Sequence, residues 1–390
     1  MANDRLLDDW LSSYVEMTDN SEPPDQFRLW AGISTICAAL QRKTYTEWEK
    51  PIYPNLYIVL IGPAGCRKGT AMAPAKSMLD MLGIKMAAES ITREMLIREI
   101  AQSMEHCPSD ERGVELHASL TIFSAELTVF IGQNNWQLIS DLCDWFDCAD
   151  RWVYRTKHQG EDEIIGVWVN LFAATTPDFL RHSLPDEAIG GGLSSRMIFI
   201  YGERGKVCPL PFLTSRQKEL SNKLVHDLRL VNLMRGEFVM SDGFLDAYSD
   251  WYIRSADTPP FREKELLGYN ERRALHVRKL AMVMSASRGD DMTLTVGDLE
   301  RALMVLEDAE KRMPLVFKGR GRLRDSEVIE DILFLLRKKK RISISDLMER
   351  FYKEVSVDDM NKLVESLCVA KLARKEVSGG DTLIVYKGKA

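Results

Sequence analysis

Hydrophobic positions along the chain fall into three regimes. Over residues 6–14 the side chains Leu6, Leu7, Trp10, Leu11 and Tyr14 recur at helical spacing. SEPPDQ (21–26) breaks that rhythm, and residues 27–40 resume it. The second regime is a set of short apolar runs at 56–61, 120–123, 164–174 and 197–201, with helical stretches between them. Strands alternating with helices predict an α/β fold around a parallel, doubly wound sheet. The third regime, residues 241–315, is amphipathic and reads as wholly helical.

GRGRLR (319–324) is basic and carries glycine, which predicts a domain boundary. Beyond it come helices over 325–337, 343–352 and 356–370. Two strands around Gly379-Gly380 follow. Three helices and a hairpin in about 65 residues form a winged-helix pattern.

Composition narrows the class without choosing the function. Of 390 residues, 45% are hydrophobic and 28% charged, as in a water-soluble globular protein. No apolar run reaches the roughly 18–20 residues that span a bilayer, and the first residues lack the apolar core of a signal peptide. The expectation is a cytoplasmic chain without a membrane partner. Seven cysteines at irregular spacing, with no CxxC, predict free thiols and no structural zinc site. The net charge of −6 is unevenly placed: residues 318–390 hold 17 basic and 12 acidic side chains, and residues 1–317 the remaining 35 and 46. A locally basic C-terminal piece is compatible with nucleic acid although the whole is acidic.

The most informative segment is IVLIGPAGCRKGTA (58–71). A buried strand runs into a Gly-Pro turn, and Lys68 opens a helix. Backbone N–H groups in such a loop cradle phosphate oxygens, and the lysine reaches the outer phosphates. The expected nucleotide ligands are Gly62, Gly65, Arg67, Lys68, Gly69 and Thr70, with ATP and Mg2+ as cofactors. The match to GxxxxGK[ST] is imperfect. Arg67 stands before the lysine where glycine is usual, and Gly69 after it where a hydroxyl is usual. Thr70, one place late, is the expected magnesium ligand. LTIFSAEL (120–127) offers Glu126 as the acid that orients water, although Ala125 stands where a magnesium-binding aspartate is usual. In VWVNLFAATTPDFL (167–180), Asn170 is the expected contact for γ-phosphate or attacking water, with Thr175 competing. GGGLSSRMIFIY (190–201) carries Arg196 before a buried strand, where it could reach a neighbouring subunit's nucleotide. Each residue also has a structural reading: a glycine turn, a helix-capping Glu126, a buried Asn170 amide, a local ion pair at Arg196.

Taken in order, these parts resemble the AAA+ replicative helicases. LSSRMIFIY (193–201) is similar to the arginine-finger segment of the minichromosome maintenance helicases. HVRKLAMVMSAS (276–287) with LTVGDLERALMVLEDA (294–309) is similar to their lid, and this implies Arg278 as a second sensor arginine. IYPNLYIVLIGPAGCRKGT (52–70) and SLTIFSAELTVFIG (119–132) resemble the helicase-like ATPases of bacteriophages and mobile elements, often found with primases. The resemblance covers about residues 25–315. It implies an N-terminal helical region (1–45), a P-loop core (46–215) and a helical lid (216–318), followed by the winged helix (322–390). It also implies a hexameric ring that unwinds or tracks along DNA in replication, with a separate primase as a further partner. The alternative is an initiator or helicase loader that binds DNA without processive unwinding. In the resembled helicases a hairpin at 151–169 points a basic tip into the central channel, which implies Lys157 and His158 as DNA contacts. In the C-terminal module, helix 356–370 offers Asn361 and Lys362 but also Asp358, Asp359 and Glu365. The better phosphate contacts are Lys338 and Lys339, in RKKKR (337–341), and Arg374 and Lys375. Protein docking is the competing role of that module.

Overall fold

The structure is a computed structural model that describes residues 4–109, 113–132, 135–156, 160–183, 192–317, 320–352, 355–378 and 381–387. It comprises two compact units, Met1–Phe317 and Lys318–Ala390. No described helix is long and apolar enough to cross a membrane.

Unit 1 opens with helices α1 (Trp10–Met17) and α2 (Asp25–Leu40). Strand β1 (Tyr57–Ile61), five apolar residues, is buried throughout. Helices α3 (Lys68–Leu82) and α4 (Arg93–Gln102) lead to β2 (Met104–Ser109) and β3 (Gly113–Ser124). Then come α5 (Leu127–Ile131), α6 (Trp136–Phe146) and a separate antiparallel hairpin, β4 (Arg151–Thr156) with β5 (Gly160–Ile165). Strand β6 (Val167–Thr175) is buried at all nine positions. Helices α7 (Pro177–Ser183) and α8 (Gly192–Arg196) precede β7 (Met197–Tyr201). Helices α9 (Ser215–Leu233), α10 (Asp242–Asp257), α11 (Leu267–Arg288) and α12 (Val296–Glu310) complete the unit.

The sheet order is β2-β3-β6-β1-β7. Four strands are parallel, and β2 is an antiparallel edge strand on β3, so the sheet is mixed where the apolar runs predicted an all-parallel one. The edge strand was illegible because Met104–Ser109 carries Glu105, His106, Pro108 and Ser109 and forms no apolar run. Each face carries a helix. Asn170 on β6 meets Ser34 of α2 on one side, and the Tyr57 hydroxyl of β1 donates to the Leu142 carbonyl of α6 on the other. The chain steps from β1 outward to β3, back to β6 beside β1, then across β1 to β7. That reversal of direction makes the carboxyl ends of β1 and β6 a topological switch point, where ligands of open α/β sheets sit.

Unit 2 contains α13 (Arg320–Lys339), β8 (Arg341–Ser343), α14 (Ile344–Phe351), α15 (Val357–Val369), β9 (Ala373–Ser378) and β10 (Asp381–Tyr386). Its three strands form an antiparallel sheet in the order β8-β10-β9, with a core of its own that includes Ile332, Leu336, Leu347, Val364 and Ile384. The segment expected as a linker is helical from Arg320 onward, because the arginines on both sides of Gly321 and Leu323 beyond it favour a helix enough to carry the glycine.

Candidate nucleotide site

At the carboxyl end of β1 the chain turns at Gly62. A Cβ here would lie 2.1 Å from the Gly202 carbonyl oxygen, so only glycine fits beside the end of β7. Gly65 follows with φ +84°. Arg67, with φ +63°, caps α3, and its Nε pairs with Glu22 at 2.5 Å. Lys68 begins the helix. Its Nζ donates to the loop's own carbonyls, Gly62 at 2.7 Å and Pro63 at 3.2 Å. Those carbonyls hold the ammonium where anionic oxygens from a ligand would compete for it.

The neighbouring strands bring the acid. Glu126 lies two residues past the end of β3, and its Oε1 accepts from the Thr175 hydroxyl at the end of β6 (2.6 Å) and from Thr128 (3.0 Å). Both donors lie on one carboxylate oxygen, which leaves Oε2 to a water or a cation. Ser124 is buried at the end of β3. Thr175 pairs in register with Ile61, the last residue before the loop, so acid, threonine and the lysine-bearing loop share one end of the sheet.

Asn170 does not join them. It lies five residues back along β6 and is fully buried. Its Oδ1 accepts from the Leu56 amide at 3.1 Å, and its Nδ2 donates to Ser34 at 3.2 Å. The structure thus places Thr175, the competing candidate, beside Glu126.

Thr70, the expected magnesium ligand, is exposed in the first turn of α3. With Pro74, Ser77 and Met81 it forms one face of α3, spaced three and four residues apart. That face lines a cavity of about 320 Å³ with Met17, Asn20 and Leu213. Pro74 has no N–H, so the Thr70 carbonyl loses its usual helical donor beside this cavity. Arg28 shapes the rim from below, donating to the Val15 carbonyl and to Asp25. Sequence reading missed the cavity, because its walls come from three segments far apart along the chain.

The remaining arginines sit at the opposite end of the sheet. Arg196 precedes Met197, which pairs with Tyr57, the first residue of β1. Its guanidinium pairs with Asp147 and with the Gly192 carbonyl, and its buried Nε has no partner among the described residues. Arg272 pairs with the other oxygen of Asp147 at 3.1 Å. Arg278 lies at that end too, on α11, 4.2 Å over the Trp48 ring, and burial lowers its pKa. Next to it Lys279 is buried against Asn55 and over the Phe146 ring, and desolvation brings it down to about 8.

Lys157 and His158 lie outside the described residues. The cations of the hairpin that are described face acids across the strands, Arg151 on Glu163 and Arg155 on Glu161. In unit 2, Lys338, Lys339, Arg374 and Lys375 are all exposed. Arg374 and Lys375 are adjacent on a strand and therefore belong to opposite faces of the sheet. No protein-family model matches the chain, and no curated protein matches it.

Proposed function

We propose that this chain is a P-loop ATPase of the AAA+ kind, with a C-terminal winged-helix module. In this reading it assembles as a ring, a hexamer by resemblance, and acts on DNA as a helicase or translocase in replication of a phage or mobile element. The observation that carries the reading is the meeting of the lysine-bearing loop, Glu126 and Thr175 at one end of three adjacent parallel strands. In this reading Lys68 exchanges the Gly62 and Pro63 carbonyls for phosphate oxygens, and the first amides of α3 add positive potential. Glu126, held by Thr175, orients and deprotonates the attacking water. The cavity beside Thr70 takes the base.

The residues present fit magnesium sparingly. The Ser124 hydroxyl and the Glu126 carboxylate are the protein donors at this end, and the ion keeps several waters in such sites. When bound, it would neutralise charge on the phosphates. Thr70 belongs to the base cavity in this reading.

Arg196, Arg272 and Arg278 are too far from their own loop to reach its phosphates, so they serve the nucleotide of the adjoining copy. The test is ATP hydrolysis with and without single-stranded DNA, by wild type and by Lys68→Ala, Glu126→Gln and Arg196→Ala. DNA-stimulated turnover lost in all three supports the motor. A loader or initiator is the second reading. It is favoured by Ala125 and Gly69, which remove two magnesium ligands and point to slow hydrolysis. Nucleotide binding without DNA-stimulated turnover would select it.

A further inference from the structure

The cations of unit 2 do not lie where a helix-in-groove reader needs them. Helix α15 has Asp358 and Asp359 in its first turn and Glu365 further on. The basic side chains gather instead at the end of the sheet where β10 finishes. Arg341 and Arg374 both pair in register with Val385, one from each side, so they flank it on the outer face, about 10 Å apart at a strand spacing near 4.8 Å. Parity puts their neighbours Ile342 and Ile384 in the core. One step along, the Tyr386 amide donates to the Lys340 carbonyl, and the Lys387 amide donates to the Leu372 carbonyl. Lys340, Lys387 and Lys371 thus surround the end of the same strand, and all three are exposed. Tyr386, on the face opposite Val385, holds Lys340 and a further cation: Arg337 Nε donates to its hydroxyl at 3.3 Å, and Lys340 Nζ lies 5.6 Å from its ring centroid. The acid paired with Arg374 is Glu376, at 2.6 Å.

A second observation is independent of the first. Lys340 (φ +64°) and Lys371 (φ +60°) each follow a helix end in the left-handed conformation. Glycine is the usual occupant there, and an L side chain carries strain. The two helices that deliver the chain to this end of the sheet both terminate in a lysine where glycine would relax the backbone.

We infer that unit 2 holds the phosphate backbone of nucleic acid on this sheet end, through Lys340, Arg341, Lys371, Arg374 and Lys387, and leaves α15 out of the groove. The inference rests on DNA as the partner of the chain. It assigns unit 2 a grip without base readout, set by charge and weakened by salt.

The experiment measures binding of a fluorescein-labelled 30-nucleotide oligo-dT and of a 30-base-pair duplex to the full-length chain across a salt series. Lys340→Glu/Arg341→Glu/Arg374→Glu is expected to weaken binding by about tenfold or more. It should also flatten the salt dependence by about two in log–log slope for the single strand. Lys340→Gly/Lys371→Gly guards against misfolding. It relieves two left-handed side chains, so the thermal midpoint should hold or rise while binding falls. Asn361→Ala/Lys362→Ala on α15 should leave binding unchanged. Unaltered affinity in both sheet-end variants overturns the inference, as does loss of binding in the α15 variant. So does a wild-type chain that binds neither oligonucleotide, or that binds vesicles of phosphatidylserine and phosphatidylcholine instead. ATP hydrolysis with and without DNA, read in parallel, separates the two proposals: a chain that grips DNA here but never turns over ATP in either condition removes the motor and keeps the grip.

Discussion

Arg67 explains more of this site than its place in a degenerate motif suggests. A left-handed φ costs an L residue roughly 1–2 kcal/mol, and the side chain is tied to Glu22, whose carboxyl it holds below the usual range. Glu22 also accepts from the Cys208 amide, so it is a fixed anion beside the loop. In the proposed reading, phosphates arriving on Lys68 compete with it for Arg67. Replacing Glu22 with alanine should therefore tighten binding of a fluorescent ATP analogue several-fold, and the gain should vanish in an Arg67→Ala background. Equal affinity in wild type and Glu22→Ala would remove Arg67 from the nucleotide site. Two buried histidines set a different expectation. Desolvation pushes His276 down to about 3 and His117 down to about 4. Both values lie below the roughly 6.5 of an unfolded histidine, so the unfolded chain binds more protons at mildly acid pH, and stability falls as pH falls. Between pH 6.5 and pH 5 each histidine contributes a loss of about 2 kcal/mol, still incomplete because both folded values lie lower. Denaturant titrations across that range should show the slope, and His276→Gln should remove its share.

Strand β6 shows how one element separates structure from chemistry. Asn170 and Thr175 are five residues apart and on opposite faces, one toward α2 and the other at the carboxyl end beside Glu126. Asn170→Ala would strand the Leu56 amide and the Ser34 hydroxyl in the core, at a cost of about 2–3 kcal/mol. The rate per folded molecule should stay unchanged. Thr175→Val keeps the shape and removes one donor from Glu126, so turnover should drop by about tenfold with little loss in thermal midpoint. If Asn170→Ala instead lowers turnover at full stability, the roles are reversed. This pair also marks the limit of reading the chain alone. The run IIGVWVNLFAA announces a buried strand by its apolar content. Which of its polar residues meets the site depends on register against β1, and a shift of one residue exchanges the faces. The turn from β1 into α3 was legible because it is local. The cavity beside Thr70 and the lysines at the end of β10 were not, because each is assembled from segments that only the fold brings together. The adjacent pair Arg374 and Lys375 reads in sequence as one patch, and the pleat divides it.

At the scale of the whole molecule, the proposed reading leaves unit 1 incomplete as an active site. The loop, Glu126 and Thr175 lie at the carboxyl ends of the strands. Arg196 and Arg272 lie at the amino ends, joined through Asp147. The five residues of β1 between the two ends span about 17 Å, farther than an arginine side chain extends. If the loop holds the nucleotide as proposed, a single chain cannot place Arg196 on it, and head-to-tail contact between copies is the arrangement that can. Such contacts are heterologous, and they close into a ring when the rotation permits. The consequence can be tested by mixing. Lys68→Ala chains lack the loop cation but keep Arg196, and Arg196→Ala chains the reverse, so each alone should hydrolyse ATP poorly. In a random equimolar assembly, about one interface in four joins an intact loop to an intact arginine, and hydrolysis should recover to about a quarter of wild type. A site confined to one chain gives no recovery, whatever the mixing ratio. The Glu126→Gln chain supplies the control. It keeps Arg196, so mixed with Arg196→Ala it should rescue as Lys68→Ala does. Mixed with Lys68→Ala, which is defective on the same side of the interface, it should not.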